Sequence, residues 1–65
     1  MKNIATIIFE DADANGEALV IVRASQEHVG LAVSLKEDGD IEVFMPLEAA
    51  KQLLSALQNA LASSQ

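Results

Sequence analysis

The most constraining stretch of this chain runs from His28 to Met45, where apolar side chains fall on every second residue either side of a tight-turn signature. Val29, Leu31, Val33 and Leu35 alternate with His28, Gly30, Ala32 and Ser34. After Glu37-Asp38-Gly39-Asp40 the series resumes with Ile41, Val43 and Met45 against Glu42 and Phe44. A period of two places each set on its own face of a pleated sheet. The spacing therefore predicts two antiparallel strands, His28 to Lys36 and Ile41 to Met45, with one face turned to a core. The acidic residues and glycine between them are turn chemistry.

Two strands are predicted upstream. Ile4 to Phe9 is β-branched and apolar, Glu10 to Glu17 is an acidic loop carrying the turn dipeptide Asn15-Gly16, and Ala18 to Ala24 is apolar on both faces except at Arg23. A strand apolar on both faces is paired centrally or covered on two sides. Ser25-Gln26-Glu27 turns the chain into the third strand, and Gly30 within that strand predicts a local bend.

A helix closes the pattern. Pro46 suits the first helical position, where its missing N–H costs nothing, and Glu48 suits the positive end of the helix dipole. Leu47, Ala50, Leu54, Leu57 and Leu61 form one stripe, with Ala49, Leu53, Ala56 and Ala60 in a second stripe beside it. The expected fold class is α+β: a four-stranded antiparallel β-meander followed by one C-terminal helix (ββββα), a single domain over residues 1–65. The leucine stripe is expected to cover one face of the meander. Phe44, Ala49, Leu53, Ala56 and Ala60 are then surplus apolar surface. Such surfaces mark interfaces, and small domains gain stability by pairing, so these five residues are assigned to a homodimer interface.

Composition narrows the function. Sixty-five residues make one domain at most, which buries only about 60% of its unfolded surface on folding. The chain has no cysteine, which excludes a disulfide scaffold, a cysteine metal knuckle and a thiol nucleophile. Four Lys and Arg against ten Asp and Glu give a net charge of −6, which opposes phosphate backbones and anionic lipids. The longest apolar run, Ala18 to Val22, falls far short of the roughly 20 residues needed to span a bilayer, so no membrane contact is expected. Met1 to Ile4 builds no signal-peptide pattern, and a cytoplasmic location is expected.

Few residues offer chemistry. Asp11, Asp13 and Asn15, with Gly16, match the first half of a calcium loop, in which alternating oxygens converge on the ion. The second half fails: Leu19 and Val22 stand where the ninth and twelfth ligands belong. Ordinary turn chemistry accounts for the same residues. His28 is the only imidazole, and the serines lack a nucleophile-elbow context, so no catalytic residues are assigned and no enzyme is expected. No cofactor is assigned beyond a weak calcium ion at Asp11, Asp13 and Asn15.

The element order, with Ile41-Glu42-Val43-Phe44-Met45-Pro46-Leu47-Glu48-Ala49-Ala50 leading from last strand into helix, resembles the repeat of Pur-alpha and related single-stranded-DNA-binding regulators. It is also similar to small proteins of bacteria and phages. The Pur-alpha resemblance covers the whole chain as element order, and implies a dimer of ββββα units that binds single strands on a sheet surface with basic and aromatic side chains. On this chain those are Arg23, Lys36 and Phe44, fewer than a stacking platform needs. The leading expectation is a small acidic non-catalytic module, a homodimer, acting on a protein partner that is itself basic; nucleic-acid binding by the sheet is the alternative.

Overall fold

The computed structural model describes residues 1–13, 16–36 and 39–64. Four strands, β1 (Lys2–Glu10), β2 (Glu17–Ala24), β3 (His28–Leu35) and β4 (Gly39–Pro46), are followed by one helix, α1 (Leu47–Ser63). The strands form one antiparallel sheet in the order β1-β2-β3-β4. The α+β meander-and-helix fold is thus the one the alternation predicts, and β2, apolar on both faces, is indeed a central strand.

The register sorts the side chains onto two unequal faces. On one, the rows across the sheet read Ala5, Val22, Leu31, Val43; then Ile7, Val20, Val33, Ile41; then Phe9, Ala18, Leu35, Gly39. No polar side chain interrupts these rows, and this is the apolar face. On the other, they read Asn3, Arg23, Gly30, Phe44; then Thr6, Ile21, Ala32, Glu42; then Ile8, Leu19, Ser34, Asp40. This is the mixed face.

The helix departs from expectation. It touches only β3 and β4, and its least exposed residues, Ala49, Ala50 and Leu53, belong to its first two turns. Leu54, Leu57 and Leu61 remain 56%, 54% and 70% exposed, so the leucine stripe does not cover the meander. The cause lies at the junction. Pro46 is the last residue of β4 and Leu47 the first of α1, with nothing between them, whereas a helix that folds back on its sheet usually needs a connection of about 2–6 residues. Pro46 accordingly sits just before the helix and not at its first position: its φ of −62° serves either state, but its ψ of 158° is extended.

Gly30 also differs from expectation. The strand shows no register shift there; the one irregularity on β1 lies between Asn3 and Ala5. Gly30 instead permits close approach. A Cβ added to it would stand 3.3 Å from the Phe44 ring and 3.4 Å from the Met1 methyl carbon.

The turn glycine behaves as its position requires. Gly39 has φ +87°, and a Cβ there would meet nothing within 4 Å, so the cost of a side chain is purely conformational. Gly39→Ala is expected to destabilise by about 1–2 kcal/mol, lowering Tm by roughly 7–15 °C in a calorimetric scan. An unchanged Tm would show that the turn relaxes to negative φ without loss.

Candidate functional site

A sheet with one apolar face must bury that face against a second layer. In this chain the second layer is incomplete, since α1 touches only β3 and β4. Among the described residues only Ala18 and Gly30 are buried; the central-strand residues Val20, Val22, Leu31 and Val33 are only half-buried. At the margins Ile7 is 51% and Ile41 64% exposed.

The overall dimensions agree. The radius of gyration is 13.0 Å, where a compact domain of this length gives about 11 Å. The accessible surface is 5220 Å², where a folded monomer of this mass exposes about 4,000 Å². The exposed large apolar side chains include Ile7, Phe9, Ile41 and Val43 on the apolar face and Leu54, Leu57 and Leu61 on the helix, with Ile8 and Phe44 on the mixed face.

The residues assigned to the interface from sequence are scattered by comparison. Phe44 lies on the mixed face over Gly30, Ala49 and Leu53 are half-buried beside the protomer's own sheet, and Ala56 and Ala60 are exposed. Sequence reasoning did not foresee that Leu54, Leu57 and Leu61 stay exposed. The zero-length junction at Pro46-Leu47 was the available signal.

The mixed face carries a polar network. The Arg23 guanidinium donates from Nε to Asn3 Oδ1 and from a terminal nitrogen to Glu42 Oε2, each at 3.0 Å, tying β2 to both edge strands. It reaches β4 past Gly30 and Ala32, the two small residues of β3 on this face. The pair is about one-third exposed on each side, so its contribution is modest. Further along, the Ser34 hydroxyl donates to Asp40 Oδ1.

The three residues of the nucleic-acid reading are not brought together. Arg23 and Phe44 both flank Gly30, but Arg23 is already ion-paired, and Lys36 lies in the turn just past the far end of β3, roughly 20 Å of extended chain from Gly30 at about 3.3 Å per residue.

At the calcium-loop candidate, the Asp13 amide donates to Asp11 Oδ1 at 3.3 Å and the Asp11 amide donates to the Gly16 carbonyl at 2.8 Å. The Asp11 carboxylate thus serves the turn. Asn15 lies outside the described residues, as do Glu37 and Asp38 of the second turn. Among the described residues no three His, Cys, Asp or Glu side chains gather closely enough to hold a metal ion, and no helix is long and apolar enough to cross a membrane. In comparisons with known proteins, no protein family, no curated protein and no solved structure matches this chain.

Proposed function

We propose that the chain is a small acidic, non-catalytic module that works through protein–protein contacts as a homodimer. The observation that carries this reading is the accessible surface of 5220 Å², roughly 1,200 Å² more than a folded monomer of this mass exposes. Much of what is exposed is large apolar side chains, Ile7, Ile41 and Val43 on the sheet and Leu54, Leu57 and Leu61 on the helix, and exposed apolar surface of this kind marks interfaces. The mixed face, with Glu42 paired to Arg23 and Asp40 opposite Ser34, remains as the outward, charged side, and the net charge of −6 steers it toward a basic protein partner. Single-strand binding draws less support, because Arg23 is matched by Glu42 and Lys36 stands apart.

Assembly and stability are then linked by mass action. Each tenfold rise in protein concentration adds about 1.4 kcal/mol per dimer, which against the unfolding entropy of two such chains raises Tm by about 5 °C. Thermal melts over a hundredfold concentration range, with light scattering for the mass, test this. A Tm independent of concentration together with a monomer mass would overturn the reading.

A further inference from the structure

The apolar sheet face and the leucine stripe are both uncovered in one protomer, and we propose that each covers the other in a pair. In this arrangement α1 of a second copy lies along the strands on the apolar face, and the two copies exchange helices reciprocally. The inference rests on the homodimer reading above and adds to it the occupant of each surface.

Lengths match first. The 17 residues of α1 span about 26 Å at 1.5 Å per residue, and the eight-residue strands β2 and β3 span about 26 Å at 3.3 Å per residue. A helix laid along the strands would therefore run the length of the apolar face without overhang. Area matches next. The surplus of roughly 1,200 Å² per copy doubles to about 2,400 Å² in a pair, within the 2,000–5,000 Å² of obligate homodimers.

Competing arrangements leave apolar surface behind. Two sheets packed face to face would leave Leu54, Leu57 and Leu61 of both copies in water, and two helices packed together would leave both sheets open. Reciprocal exchange covers both surfaces, and as a self-complementary contact it closes at two copies. Within one chain the contact is not made: α1 follows β4 directly, and Leu54, Leu57 and Leu61 stay exposed.

The chain has no cysteine, so every thiol can be a designed one. Val33→Cys, on the apolar face, and Leu57→Cys, on the stripe, are purified separately, refolded together and treated with a short bismaleimide. The mass of the native assembly is measured alongside. The expected result is a dimer in which the V33C chain links to the L57C chain, while the V33C/L57C double variant links between chains and not within one. A dimer that joins V33C only to V33C, or forms neither link, overturns helix exchange while leaving the homodimer standing. A link closed within a single chain at monomer mass overturns both readings. Should V33C impair folding, Val20→Cys, its neighbour in the same row, replaces it.

Discussion

Replacing Leu57 by Glu is expected to raise the dissociation constant of the proposed homodimer about a hundredfold or more. The protomer itself has little to lose. Leu57 is 54% exposed there, and Glu is nearly as good a helix former as Leu, so the isolated chain should change by no more than about 0.5 kcal/mol. In the pair the same side chain is buried. Full burial of a leucine is worth about 1.5–3 kcal/mol, of which about half is left to gain from a 54% exposed start; a carboxylate left unpaired in its place costs about 1–3 kcal/mol more, and two-fold symmetry counts each substitution twice, giving about 3 kcal/mol or more. At about 1.4 kcal/mol per factor of ten, that is a hundredfold. Sedimentation over a dilution series measures it. A variant that dimerises as tightly as the parent would leave Leu57 in water in the assembly, and the leucine stripe would have no part in it.

Val33→Asp is expected to abolish the folded state. Val33 is central on the apolar face, aligned with Val20 on one side and Ile41 on the other. Once a second layer covers that face, a carboxylate there has no partner, and an unpaired buried charge costs several kcal/mol. A chain this small has about 3–5 kcal/mol of core stability in total. Thr6→Asp, on the mixed face, is the control and should retain its fold. The readout is the circular dichroism melt, with a cooperative transition in T6D and none in V33D. If V33D unfolds at the parental temperature, the apolar face is open to water in the native assembly, and the interaction-surface reading falls.

The strands were legible because their information is local. A period of two across Val29 to Leu35 and Ile41 to Met45 fixes which residues share a face, and the observed register pairs Val29 with Met45, Leu31 with Val43 and Val33 with Ile41 as that period requires. The central place of β2 followed from its two apolar faces. The helix was legible as a helix but not as a packed element. Its stripe says that something apolar must lie against it; nothing in a stripe says whose. Gly30 shows the same limit: a glycine in a strand signals a bulge or a close approach, and only the tertiary positions of Phe44 and Met1 decide for the second. The bulge that does occur, at Ile4, has no glycine to announce it. The exposure of Leu54, Leu57 and Leu61 was not legible for a related reason, since the stripe was expected to lie against the chain's own sheet.

A meander in the order β1-β2-β3-β4 leaves two strands with one unpaired side each, and an open ladder is a template onto which further chains can add without end. Here both rims are blunted. On β1 the register slips between Asn3 and Ala5, which breaks the even spacing an incoming strand would need, and Lys2 and Glu10 place a charge at either end. On β4 Pro46 withholds a donor and the chain passes at once into a helix. Growth sideways is thus discouraged while the broad apolar side stays adhesive, and the net charge of −6 penalises every additional copy. Under the proposed pairing the chain sticks in one direction only, which separates a countable assembly from a fibre.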